Sequence, residues 1–216
     1  MTVASLDALR LALAPTIAEA AAFDGWSEAA VRDAALRGKI DPDAAVFAFK
    51  DGPMAMIEAW IATIDAAMAS ALPVEKLGPM KIRERIRSLV QFRLDAAAPN
   101  KEALRRALAI MAMPHNAARA LALGWNSADA MWRLAGDTAT DYNHYTKRMT
   151  LGALYAATLA VFVDDQSEDH AETRAFLDRR IEGVMRFEKV KARVLDGGRE
   201  HFSPARFFGR LRYPAR

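Results

Sequence analysis

The sequence predicts an all-α protein. Three observations carry that expectation: alanine is abundant along the whole chain, runs of β-branched residues are scarce, and apolar residues recur at spacings of three and four rather than two. At 216 residues the chain can bury a substantial core as one domain with a small appendage. Its apolar share of 52% beside 26% charged residues is that of a folded globular protein and excludes a disordered or fibrous chain.

A first helix is expected over about residues 6–23, stopping before Gly25. Ser27 can cap a second that reaches Gly38, and Asp41-Pro42 opens a short third, an N-cap followed by proline at the first helical position. Asp51-Gly52-Pro53 interrupts the chain before a fourth helix, about Met54 to Ala71. Breaks at Pro73 and Gly78-Pro79 precede a fifth, about Met80 to Ala97, with Ile82, Ile86, Leu89, Val90 and Leu94 on one face. A sixth starts near Lys101 and is expected to end or kink at Pro114. Ser127 reads as the cap of a short helix through Leu134, closed by Gly136. A long apolar helix follows from about Asp141 to Val163. After the acidic turn Asp164-Asp165 comes a last one, from about Ala171 to Leu195. The expected organisation is a single helical domain over residues 1–196 and a basic tail over 197–216, joined at Gly197-Gly198, with no internal repeat.

The chain has no cysteine, which excludes disulfides, thiolate zinc sites and a cysteine nucleophile. Its first residues lack the basic and apolar pattern of a signal or transit peptide, which points to an intracellular protein. The longest uncharged stretch, Thr150 to Val163, falls short of the ~20 residues that span a bilayer, so membrane contact is expected to be peripheral. Charge is unevenly placed. From His170 to Arg216 there are 12 Lys and Arg against 6 Asp and Glu, while residues 1–60 hold five against nine. Arginine outnumbers lysine 22 to 8, which suggests a GC-rich bacterial source.

Three short helices followed by longer ones is the layout of the TetR regulators, with a helix-turn-helix over about residues 5–50. A recognition helix needs side chains for base edges flanked by Lys or Arg for phosphates. The third helix offers Asp41, Asp43, Ala44, Ala45, Phe47 and Phe49, with Lys50 only at its end. The helix-turn-helix therefore reads as degenerate and nucleic acid is not an expected partner; a TetR-like regulator or ligand sensor is the alternative.

No His-Glu-x-x-His, Gly-x-Ser-x-Gly or nucleotide loop occurs, and no catalytic residue, metal or cofactor is expected. Asp137, Asp141 and His144, spaced i, i+4, i+7, could gather on one face as metal ligands of an uncharacterised enzyme. The plainer reading is that Gly136 ends one helix and Asp137, Thr138 or Asp141 caps the next. Trp125, Met131, Trp132, Tyr142 and Tyr145 concentrate near the same corner as either an interface or core. Leu151, Leu154, Tyr155, Leu159 and Phe162, facing Met111 and Met113, form either the wall of a lipid pocket or a filled core.

The run Met113-Pro114-His115-Asn116, and the run from Met131 to Arg148 reading Met-Trp-Arg-Leu-Ala-Gly-Asp-Thr-Ala-Thr-Asp-Tyr-Asn-His-Tyr-Thr-Lys-Arg, resemble a family of ubiquinone-biosynthesis proteins, that of the ninth member of the coenzyme Q set, in its bacterial type. Asp24-Gly25-Trp26-Ser27 and Phe49-Lys50-Asp51-Gly52 fit it too, so the resemblance spans most of residues 6–190. It implies a TetR-like homodimer that has given up DNA, holds an isoprenoid quinone intermediate or phospholipid, and presents its substrate to the demethoxyubiquinone hydroxylase. By resemblance the contact with the hydroxylase involves Asp129, Met131 and Tyr145, with Trp132 and His144 beside them. His144 stands where animal members carry tryptophan. The implied location is cytoplasmic, peripheral to the inner membrane, or on the matrix side in a mitochondrion.

In the tail, Ser203 can cap a helix on which Phe207, Phe208 and Leu211 share a face flanked by Arg206, Arg210 and Arg212. That is the composition of a segment lying on an anionic membrane surface. The alternative is a disordered or folded-back tail.

Overall fold

The computed structural model describes residues 5–138 and 142–197, and among them every regular element is helical. The helices are α1 (Leu6–Asp24), α2 (Glu28–Arg37), α3 (Pro42–Ala48), α4 (Pro53–Ala71), α5 (Val74–Leu77), α6 (Ile82–Ala97), α7 (Lys101–Met111), α8 (Ala117–Leu134), α9 (Tyr142–Asp164) and α10 (Ala171–Gly197). Short 3₁₀ turns lie at Ala98–Asn100, Pro114–Asn116 and Glu168–His170. The expected caps at Ser27 and Asp41 form, Ser27 Oγ accepting from the Ala30 amide and Asp41 Oδ1 from Asp43, and Ser5, not marked beforehand, caps α1 by accepting from Ala8, each satisfying one orphan N–H of a first turn. Gly25, at φ 70°, turns the chain out of α1 in a conformation that a side chain would strain.

The first three helices pack through small side chains. Ala14, Ala18 and Ala21 of α1, Ala30, Ala34 and Ala35 of α2, and Ala45 and Ala48 of α3 are all buried, and with so little side chain between them the helix backbones approach closely. α1 also packs on α4 and α7. Trp26, just after α1, closes that junction: its indole Nε1 donates to the Ala103 carbonyl at 2.9 Å, and its ring lies 5.5 Å from that of Trp60.

The second layer is a bundle in which α4 packs against α6, α7 and α8, α8 lies along α9, and α9 also meets α6 and α7. Met68, Leu89, Val90, Leu94, Met131, Leu151 and Phe162 fill it, each contributing about 1.5–3 kcal/mol on burial. α4 is long and apolar enough to cross a bilayer by length and composition, although it carries Glu58 and Asp65. Its Met56, Ile57, Trp60, Ile64 and Met68 face the core, which accounts for that hydrophobicity.

The chain divides into two compact units, residues 1–177 and 178–216. The later part of α10 is charge-rich, with a surface Arg186–Glu182 pair at 3.2 Å. Between α9 and α10, the buried Asp165 caps the turn. Burial alone would push its carboxyl up, but the hydroxyls and backbone amides of Ser167 and Thr173 all donate to it at 2.5–2.8 Å, and their combined effect holds it well below the ordinary carboxylate range.

Two expectations change. The short helix capped by Ser127 is instead the second half of α8, which starts at Ala117. Gly124 has nothing within 4 Å of where a Cβ would sit, so it interrupts no packing and the helix continues through it at a cost of about 1 kcal/mol. Ser127 is buried inside that helix. The break between Pro73 and Pro79 holds one extra turn, α5, which was not foreseen.

Candidate functional site

The corner where α8 turns into α9 is held by buried charge. Gly136, at φ 86°, ends α8, and the Asp137 amide reaches back to the Trp132 carbonyl at 2.9 Å. The Asp137 carboxylate then accepts from Lys147 Nζ at 2.6 Å and from Arg148 Nη1 at 3.1 Å. Arg148 Nε donates to Asp129 at 2.6 Å, and Arg133 closes the other side of Asp129 at 2.8 Å. The Trp132 indole donates to the Lys147 carbonyl at 3.0 Å. Side-chain exposure of 2% at Arg148 and 4% at Asp137 puts that pair inside the protein, with Lys147 and Arg133 reaching the two carboxylates from the surface; the pair fixes how the two helices meet at the price of desolvating its members.

Over that network lies an exposed aromatic and apolar strip. Trp125 lies 6.0 Å from Tyr145 and 6.2 Å from His144, whose own rings are 5.2 Å apart. Tyr145 is 58% exposed, and Leu121 and Met149, one turn away along α8 and α9, are exposed as well. Of the residues expected at a partner surface, Asp129, Trp132, His144 and Tyr145 therefore come together. Met131 does not reach the surface: it is wholly buried. Leu121 and Met149 extend the strip beyond Trp125 and Tyr145, and their four-residue spacing from those rings is the signal that could have marked them.

Leu151, Leu154, Leu159 and Phe162 are buried on α9, with Tyr155 and Met111 half-buried, whereas Met113 is 43% exposed at the turn after α7. An open cleft of about 320 Å³ lies elsewhere, among α2, α3 and the start of α4, with Trp26, Val31, Phe49 and Met56 in its walls. None of the expected pocket residues lines it.

One buried polar group was missed. Arg93 of α6 is 1% exposed and reaches Asp65 of α4, the Ser127 hydroxyl of α8 at 3.0 Å and the ring face of Tyr155 of α9 at 5.0 Å. Its spacing from Ile86, Leu89 and Val90 puts it on the apolar face of α6, so a lone arginine on a core stripe was the available signal.

The metal reading does not survive at Asp137, whose carboxylate is taken by Lys147 and Arg148. Asp141 lies outside the described residues, and among those described no three His, Cys, Asp or Glu side chains are placed to share a metal ion. On α3, Asp43 is paired with Arg32 at 3.0 Å, and Phe47 is exposed. The tail residues Arg206, Phe207, Phe208, Arg210 and Leu211 lie outside the described residues.

Residues 117–188, from the start of α8 into α10, match the family model described as COQ9. The human "Ubiquinone biosynthesis protein COQ9, mitochondrial" is 31% identical over 181 residues, 81% of this chain. The Drosophila melanogaster protein of the same description is 25% identical over 191 residues. The chain belongs to the COQ9 family.

It spans 57% of the human COQ9 protein and 58% of the Drosophila one. The fold is also that of a TetR transcriptional regulator from Nitrosomonas europaea, with a TM-score of 0.64 at 24% identity, covering 80% of this chain and 95% of that one. At that identity the likeness is one of fold alone. For a COQ9-family chain, the matched segment contains the whole ion network Asp129, Arg133, Asp137, Lys147 and Arg148 and the aromatic strip above it.

Proposed function

We propose that the chain is an accessory protein of ubiquinone biosynthesis, without chemistry of its own. It holds an isoprenoid quinone intermediate, or a phospholipid in its place, and presents the intermediate to the demethoxyubiquinone hydroxylase. The observation that carries this reading is the aromatic strip of exposed Tyr145 and half-buried Trp125 and His144, set on an ion network within the segment that the COQ9 model matches. Exposed aromatic side chains on a rigid support are the residue types that dominate protein interfaces. The apolar face of α9, with Leu151, Leu154, Tyr155, Leu159 and Phe162 beside Met111, is the proposed wall for the lipid chain, and Met113 sits at its edge.

The same reading makes the chain a homodimer that touches an anionic membrane through Arg206, Phe207, Phe208, Arg210 and Leu211. It works on the inner membrane from the cytoplasm, or from the mitochondrial matrix as the "mitochondrial" of its relatives' descriptions suggests. Replacing Phe207, Phe208 and Leu211 by serine is expected to abolish sedimentation with anionic liposomes and to leave the circular dichroism unchanged; undiminished sedimentation would refute the anchor. A DNA-binding role draws no support from α3, whose exposed residues are acidic or apolar, with Lys50 only beyond its end.

The direct test is mass spectrometry of the lipid released when protein from its native host is denatured. A stoichiometric isoprenoid quinone intermediate is the expected result. Phospholipid alone would reduce the reading to a lipid-binding protein, and an empty protein would overturn it.

A further inference from the structure

Arg93 has features that a helix latch does not require. It is an arginine with almost no exposed surface at the centre of the α4, α6, α8 and α9 bundle, among side chains that are otherwise apolar. Nη1 faces Asp65 and Nη2 donates to Ser127 Oγ at 3.0 Å, but Nε is buried and has no acceptor. Tyr155 covers one face of the guanidinium at 5.0 Å, and its hydroxyl makes no hydrogen bond among the described residues. One buried donor, the Arg93 Nε–H, thus stands without an acceptor among the described residues, a costly arrangement in an interior unless something supplies the oxygen.

We propose that Arg93, Asp65, Ser127 and Tyr155 form the head-group end of a lipid site, and that it selects a neutral, hydrogen-bond-accepting head over an anionic one. The proposal rests on the lipid-holding reading above and names what that reading leaves open. The chemistry that decides it is charge. Asp65 already neutralises the guanidinium, so the pair carries no net charge. A quinone or phenol oxygen takes the free Nε–H without altering that balance. A phosphate would bring an unpaired negative charge into an apolar interior, where uncompensated charge is strongly disfavoured. Leu151 and Leu154, buried next to Tyr155 on α9, continue from this polar end as an apolar wall for a prenyl chain.

The prediction is a selectivity, and it inverts. The protein is incubated with phosphatidylcholine vesicles containing phosphatidylglycerol and a short-chain isoprenyl benzoquinone in equal amounts, recovered by gel filtration, and its bound lipid is quantified by mass spectrometry. The unaltered protein is expected to carry the quinone in preference to phosphatidylglycerol. Asp65→Asn leaves the guanidinium charge unbalanced and is expected to shift the ratio toward phosphatidylglycerol by about tenfold, the worth of one charge-assisted hydrogen bond. Tyr155→Phe, a change small enough to keep the fold, is expected to lower the amount of bound quinone severalfold while the amount of bound phosphatidylglycerol stays as in the unaltered protein.

If the unaltered protein carries lipid but shows no preference for the quinone, or Asp65→Asn and Tyr155→Phe both leave the ratio unchanged, the pair is a helix latch and the inference is overturned while lipid binding stands. If the unaltered protein carries neither lipid, the lipid-holding reading itself falls.

Discussion

The three N-terminal helices and the α8–α9 corner both leave large apolar side chains in solvent, but in different ways. At the N-terminal end Phe23, Leu36 and Phe47 are exposed over a core of alanines, and no ring contact links them. At the corner, the rings of Trp125, His144 and Tyr145 meet tilted or edge-on within 6.2 Å of one another, beside the buried Asp137–Arg148 pair. Scattered exposed side chains are ordinary for a folded protein, whereas a contiguous aromatic strip on a rigid base is what an interface needs. The difference teaches that the regulator-like layout of the first helices says how the chain folds. The departure from plain apolar packing at α8–α9 is the feature on which the proposed partner surface rests.

The largest way to break the comparison is at the corner. Arg148→Met leaves Asp129 and Asp137 partly buried with fewer cations, and is expected to cost about 3 kcal/mol in urea unfolding. A loss under about 0.5 kcal/mol would mean that the network holds nothing. At the N-terminal end, Trp26→Phe removes the donor to the Ala103 carbonyl and is expected to cost about 2 kcal/mol, read from the same unfolding curves.

The α9–α10 turn provides a pH test. Since the Asp165 carboxyl titrates lower in the folded chain than in the unfolded one, its contribution is fully present above the ordinary carboxylate value of about 4. It is lost as pH falls below that value toward the folded one. The stability gap between the protein and Asp165→Asn is therefore expected at pH 7 and should narrow in increasingly acidic urea titrations. The smallest effect on stability is expected from Tyr145→Ala, within about 0.5 kcal/mol because the side chain is exposed.

Local chemistry made most of the helices legible. Ser27, Asp41-Pro42 and Gly25 mark their boundaries through hydrogen bonds made within a few residues, so spacing along the chain reveals them. The same habit misled at Ser127, where a residue type that caps helices sits inside α8 because its hydroxyl meets Arg93 from 34 positions earlier. Asp65, Arg93 and Tyr155 belong to three helices, and only packing brings them together. The corner was legible in its residue types, but not in the depth of Met131 or in the pairing of Asp137 with Lys147 and Arg148, which takes that carboxylate away from a metal.

The central claim is that the working face is the α8–α9 corner, and calorimetric titration of the demethoxyubiquinone hydroxylase into two variants tests it most directly. Tyr145→Ala is expected to weaken binding by at least about tenfold, as loss of an aromatic anchor does, while Phe47→Ala on α3 leaves it unchanged. Equal binding by the Tyr145 variant with loss in the Phe47 variant would contradict the account and move the partner surface to the N-terminal helices.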